Sequence, residues 1–236
     1  MNTATISFLE WLYSLIGYQE PKAVIKPQPP KVLDEDLIYD GGTLPEVEVT
    51  AKRLYIIEWS AAAWRALSRD IETVQLMALM TAWHEHGTGD DRHLAYIFAS
   101  IWHECHFKPK NERRANPLRQ PSLYRQQAEY WDTGYFGRGP IQLTWEDNYA
   151  RFSKYLGLPL VEHPALVNKP EIGYKIAVIG MVRGWFTGAP LRWYINDARE
   201  DYVKARRTVN GDEHINGKKI ARDAERILEA FRSMKY

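Results

Sequence analysis

Leu94-Ala-Tyr-Ile-Phe-Ala-Ser-Ile-Trp-His-Glu104 reads as one helix: Leu94, Ile97, Phe98 and Ile101 recur at helical spacing, and the same count brings Glu104 onto their stripe. The period recurs on both sides. Leu76, Leu79, Met80 and Trp83 mark a helix before it, and Tyr149, Phe152 and Leu156 mark one after it. Ile172, Ile176, Ile179 and Gly180 mark a fourth, and Ile220, Ala224, Ile227, Leu228 and Phe231 a last one at the C-terminus. Thr144 with Asp147, and Asn168 with Glu171, have the spacing of an N-cap and its reciprocal partner. The fold class is therefore mainly α. Residues 105–143 are polar, rich in Pro and Gly and without helical period, which predicts a long loop, and such loops inside a domain usually carry function.

Residues 1–53 have a different texture. A short apolar helix, with Ile6, Leu9, Leu12 and Ile16 on one face, precedes Pro21, Pro27, Pro29 and Pro30, an acidic patch and Gly41-Gly42. This reads as an arm and linker ahead of a domain at 54–236, its apolar face suited to docking on a partner or folding back on the domain. Leu44-Pro-Glu-Val-Glu-Val-Thr-Ala51 alternates like a strand but is too thin in apolar residues to hold a sheet.

Composition narrows the function classes. Lys and Arg total 31 against 30 Asp and Glu, so the basic surplus that a nucleic-acid partner demands is missing. Cys105 is the only cysteine, which excludes an intramolecular disulfide. No run approaches the ~20 apolar residues of a membrane span. Residues 6–16 lack a basic n-region and carry Glu10, so no signal peptide is expected, and delivery to any extracellular substrate would need another route. The 9 Trp and 14 Tyr mostly fill a core, yet they also offer flat faces for sugar rings.

Glu104 is the first candidate for chemistry. A carboxyl group ending an apolar stripe is desolvated, which favours its protonated form and suits a general acid; the alternative is a helix-end glutamate turned outward or paired with Arg113 or Arg114. Glu112 follows in the loop after Pro109, and taken alone is an ordinary surface residue. Two carboxylates in this setting fit an inverting glycosidase, whose acid and base stand roughly 6.5–9.5 Å apart to admit a water. His84-Glu-His86 and His103-Glu-Cys-His106 raise a metal reading, but their spacings miss the i, i+4 pair that shares a helical face. Tyr135-Phe-Gly-Arg-Gly-Pro-Ile-Gln-Leu-Thr144 fails as a phosphate loop, since no Gly-Lys-Ser/Thr follows.

Several ordered stretches together resemble glycoside hydrolase family 19, the chitinase-like enzymes, and within it the phage-type endolysins with a lysozyme-like fold. They are Leu94 to Glu104, Pro109-Lys-Asn-Glu112, Tyr135 to Thr144 with Asn148-Tyr149, and Asn168-Lys-Pro-Glu-Ile172. Gly180-Met-Val-Arg-Gly-Trp-Phe-Thr-Gly188 and Ala205-Arg-Arg-Thr-Val-Asn-Gly211 complete the set. The resemblance implies Glu104 as general acid, Glu112 as base and Thr144 as the hydroxyl that holds the attacking water. It implies Tyr135, Gln142, Asn148 and Asn210 along the sugar cleft, and neither cofactor nor metal. Cys105 stands where the family usually has a small or hydroxyl residue, and the loop from Glu104 to Pro109 is shorter than is common in the branch.

The expectation is a lysozyme-like domain with two lobes, the smaller containing the 105–143 loop, that cleaves β-1,4 bonds between N-acetylated sugars. Peptidoglycan is expected before chitin, because the match is to phage-type lysins and not to disulfide-bonded plant enzymes. The protein would reach the cell wall by holin-type lysis or on a virion, with residues 1–53 docked on a tail or baseplate protein. The rival expectation is a virion or secretion-apparatus structural protein whose lysozyme-like domain is an inactive sugar-binding remnant. Deleting residues 1–53 is expected to leave activity on purified substrate within a few fold; unfolding or outright loss of activity would move the domain boundary into the arm.

Overall fold

The computed structural model describes residues 71–233; the arm, its docking helix, the 44–51 alternation and the boundary near residue 53 lie outside the described residues. Within 71–233 there are six α-helices: α1 (Thr73–His86), α2 (Asp91–Cys105), α3 (Pro121–Ala128), α4 (Glu146–Leu156), α5 (Pro170–Arg183) and α6 (Lys218–Ser233). The strand content described is one short antiparallel hairpin, β1 (Ile195–Asn196) with β2 (Arg199–Glu200), Ile195 opposite Glu200.

The stripe that defines α2 understates its burial, because every residue from His93 to Ile101 is buried. Asp90 starts the helix by accepting from the Arg92 N–H at 2.9 Å, and His106, with φ 53°, stops it. On one flank lies α6, whose Ile220, Ala224, Ile227 and Phe231 are fully buried, with the Phe231 ring edge-on to Phe98 at 6.1 Å. On another lies α5, contributing Tyr174, Ala177, Val178 and Met181 to the same core, with α1 packed against α5 through Leu79, Met80 and Ala82.

A second apolar cluster is separate from this one. Leu143, Tyr149, Phe152, Leu160 and Val167 gather on Ile172, Ile176 and Ile179 of α5. α5 serves both clusters, one face for each, and the 105–143 stretch feeds both: Phe107 and Ile141 join the first, Leu143 the second. Gly180 belongs to its stripe for a steric reason: a Cβ there would lie 2.0 Å from Cζ of Phe186, whose ring fills the space.

Three sequence expectations need correction. The stretch 105–143 contains α3 and a 3₁₀ turn at Trp131–Thr133; α3 buries only Gln127, so no apolar stripe announces it. Thr144 does not cap α4, which begins after Trp145 without a side-chain cap; its hydroxyl donates to the Gln142 carbonyl at 3.0 Å. Nor does Asn168 cap α5. Pro170 occupies the first helical position, so the N-cap falls on Lys169, one residue beyond Asn168, whose amide reaches other loops instead. Phe231→Ala would empty the α2–α6 interface and is expected to lower stability by ~3–5 kcal/mol in chemical denaturation.

Candidate active site

Glu104 sits in the last turn of α2 with its side chain 18% exposed, and its partner comes from a distant part of the chain. Arg206, in the 3₁₀ turn Lys204–Thr208, is 4% exposed. Its Nη1 donates to Glu104 Oε1, while its Nε donates to Asp212 Oδ1 at 2.5 Å and its Nη2 to Oδ2 at 3.4 Å. A buried guanidinium needs compensating anions, and it has two. The apolar enclosure expected around Glu104 is therefore replaced by an ion pair, and the partner is neither Arg113 nor Arg114.

The network holds each of its members. For Arg206, burial works against the charge, yet the hydrogen bond to Asp212 and the carboxylate of Glu104 raise its pKa overall. For Asp212, burial pushes upward, but hydrogen bonds from Arg206 and Asn216 prevail and keep it below the usual carboxylate range. Asn216 Nδ2 donates to Asp212 Oδ2 at 2.5 Å. Asn210 is on this side of the site: its N–H donates to the Arg206 carbonyl at 2.9 Å, and its Oδ1 accepts from the Gly211 N–H at 2.7 Å. Arg206 and Asp212 were not singled out from the sequence. Arg206 lies within a quoted stretch, but nothing local distinguishes it from its exposed neighbour Arg207.

Glu112 lies on the strip of chain after α2. Between the two glutamates, His106 and Phe107 both adopt left-handed backbone, φ 53° and 55°, which turns the chain while Phe107 plugs into the core beside Phe98 and Tyr174. Glu112 is tied to the segment Tyr135–Thr144 through its backbone, its N–H donating to the Gly137 carbonyl at 2.7 Å. Its carboxylate has three donors. Oε1 accepts from Gln127 Nε2 at 2.7 Å and from the Tyr130 hydroxyl at 2.9 Å, and Oε2 accepts from the Gly137 N–H at 3.0 Å.

The remaining predicted residues join this second group. Gln142, with φ 55°, donates to the carbonyls of Lys110 and Gly139 at 2.9 and 3.2 Å. Thr144 donates to the Gln142 carbonyl, and Asn148 Nδ2 donates to the Thr144 carbonyl at 2.9 Å. Asn168 closes the far side: Oδ1 accepts from the Gly139 N–H at 3.0 Å and Nδ2 donates to Asn111 Oδ1 at 2.7 Å. Tyr135 points its hydroxyl at the Val161 carbonyl, 3.2 Å away, and packs its ring on Tyr149. Glu112, Gln142, Thr144 and Asn148 thus form one connected group, and Glu104 with Asn210 another.

His103 and His86 both have side-chain partners. His103 Nε2 lies 3.0 Å from Asp223 Oδ2, and the His86 ring stands edge-on to Tyr155. Among the described residues no three His, Cys, Asp or Glu side chains gather as a ligand set. Cys105 is buried, its Sγ donating to the Ile101 carbonyl at 3.5 Å, and burial pushes the thiol up to about 11.

Residues 66–188 match the family model of chitinase class I, glycoside hydrolase 19. An endochitinase of Arabidopsis thaliana is 32% identical over 143 residues, covering 60% of this chain and 46% of that one. The acidic endochitinase of Dioscorea japonica is 26% identical over 141 residues, 58% of this chain and 53% of its own. The chain spans about half the length of the curated relatives it matches. Among solved structures, chitinase C of Streptomyces griseus HUT6037 shares the fold, with TM-score 0.53 and 19% identity over 73% of this chain and 91% of that one.

Arg206→Met would leave two carboxylates without their cation and is expected to cost ~3–5 kcal/mol at neutral pH. Asp212, held below the usual range, contributes stability that is present above about pH 4 and lost as pH falls through its folded value. The gap between wild type and variant should therefore narrow in acid, as read from denaturation midpoints at several pH values.

Proposed function

Since the chain belongs to the chitinase class I family, glycoside hydrolase 19, we propose that it hydrolyses β-1,4 bonds between N-acetylated sugars with Glu104 as acid and Glu112 as base. The observation that carries this reading is the contrast between the two carboxylates. Glu104 is held by a charged donor, Arg206, at the end of a buried helix, whereas Glu112 is held by neutral donors on a loop. The two carboxyl groups stand in different surroundings, as the acid and base of a glycosidase do, and the resemblance of the ordered motifs gives Glu104 the acid's part and Glu112 the base's.

In the proposed reaction Glu104 gives its proton to the glycosidic oxygen as the bond to C1 breaks. Arg206 fixes the direction of that side chain and stabilises the carboxylate left behind. Glu112 takes a proton from a water whose oxygen bonds to C1 from the opposite face, so the anomeric configuration inverts. Thr144, one hydrogen bond from Gln142, orients that water, and Gln142, Asn148 and Asn210 border the sugars.

Peptidoglycan is the proposed substrate, supported by the resemblance of the ordered motifs to phage-type lysins and by the single cysteine. Residues 1–53 then serve as an address, for instance on a phage tail or baseplate, and the site of action is the cell wall. Chitin is the second reading, favoured by the names of the curated relatives, which are endochitinases. Mass analysis of sugars released from purified peptidoglycan and from chitin oligosaccharides separates the two, and product anomers tested at early times report the stereochemistry.

Glu104→Gln is expected to lower the hydrolysis rate by about 10²–10⁴-fold without altering the helical circular dichroism. Retention of more than about a tenth of the wild-type rate would overturn its role as general acid. Complete inactivity of the wild-type protein on both glycans, with sugar binding retained, would instead favour the inactive structural module.

A further inference from the structure

Resting on the reading of Glu112 as the base, we propose that Gln127 and Tyr130 are positioning residues that occupy Oε1 of Glu112 and leave Oε2 as the atom that accepts the water's proton. A carboxylate offers about four acceptor positions, two on each oxygen. Gln127 and Tyr130 fill both on Oε1, and the Gly137 N–H fills one on Oε2. One position on Oε2 has no donor among the described residues. A base held this way cannot flip its two oxygens without breaking three hydrogen bonds, so the accepting lone pair has one fixed direction.

Gln127 is built for the task and has no freedom to do another. It is 1% exposed, and both polar atoms of its amide are engaged: Oε1 accepts from the Ala115 N–H at 2.6 Å, and Nε2 donates to Glu112 Oε1 and to the Arg113 carbonyl. This fixes the amide's orientation, since the Ala115 N–H can only donate and the Arg113 carbonyl can only accept. It also gives α3, exposed almost throughout, a reason to exist as a mount for one side chain.

Tyr130 follows directly. Burial and then the neighbouring Glu112 both raise its phenol pKa, so it is a neutral donor at neutral pH. Its ring stands 5.1 Å from the Trp145 ring at 65°. Trp145 is 46% exposed with φ 75°, a backbone conformation that side-chain-bearing residues rarely adopt, and it is the residue next to Thr144. Tyr130 therefore joins the element bearing the base to the element bearing the hydroxyl that orients the water. Gly137 completes the fit, since a Cβ there would approach Glu112 Oε2 to 3.2 Å and Gln142 Oε1 to 3.1 Å.

The test is Tyr130→Phe, which deletes one donor and keeps the ring. Its kcat should fall roughly tenfold to a hundredfold, the factor for losing a donor to a charged group, with KM little changed. Losing a donor to the ionised form makes protonation easier, so the acidic limb of the kcat profile should move to higher pH. In a Glu112→Gln background the same change should add nothing. Unchanged kcat and pH profile in Tyr130→Phe, with Glu112→Gln inactive, overturns the positioning role alone. A rise in KM without a pH shift also overturns it, because that marks a substrate contact. An active Glu112→Gln variant overturns the reading of Glu112 as base. Gln127→Met, which keeps the length and removes all three hydrogen bonds, should move the pH limb in the same direction; an unmoved limb in a folded protein counts against the proposal.

Discussion

A helix buried around its whole circumference can present charge only at its ends, and α2 imposes that condition on everything near it. From His93 to Ile101 every side chain is buried, His93 with its ring nitrogens on Thr88 Oγ1 and the Ile195 carbonyl. At the first end Arg92 spreads over Asp90, Asp197 and Glu200, which ties the β1–β2 hairpin to the helix start. At the other end the charge is Glu104. Its position is set by the packing of the helix behind it, and its direction by Arg206. Little is left for the side chain itself to decide, and that fits a group whose work depends on aim.

The two halves of the site are stabilised by different physics. Around Glu104 the dominant interaction is a triad of charges, expensive to desolvate and therefore tolerable only because all three members are present together. Around Glu112 it is a lattice of hydrogen bonds from neutral donors, many of them involving backbone carbonyls and N–H groups of a segment with little regular structure. Left-handed residues at His106, Phe107, Gln142 and Trp145 mark where that segment departs from easy backbone conformations. Such departures persist only when surrounding contacts over-determine them, and the paired loops supply those contacts.

The body of the fold was legible because it follows from periodicity. Leu94, Ile97 and Ile101, or Ile220, Ala224 and Ile227, announce their helices and their buried faces without help from the rest of the chain. Glu104, Glu112 and Thr144 stand out as candidates only as members of ordered motifs, since each taken singly has an ordinary alternative. What sequence could not convey were partners fixed by tertiary contact. Arg206 looks like Arg207 until one of them is buried. Gln127 looks like Gln126 until its amide meets three groups. The misplaced caps have the same origin: Thr144 and Asn168 carry good capping chemistry, but a proline at the first position of α5 and the turn at Trp145 shift the helix starts, freeing both side chains for the loops.

The span of chain that each half must close differs greatly. Glu112 finds Gln127, Tyr130 and Gly137 at separations of 15, 18 and 25 residues, whereas Glu104 finds Arg206 across 102. Closing a short loop loses less entropy than closing a long one, so the neighbourhood of Glu112 can organise from its own segment while that of Glu104 waits for the far end of the chain. During synthesis, then, the partners of Glu112 are all present well before Arg206, the partner of Glu104. Glu104 and Arg206 can pair only after the chain through residue 206 has been made.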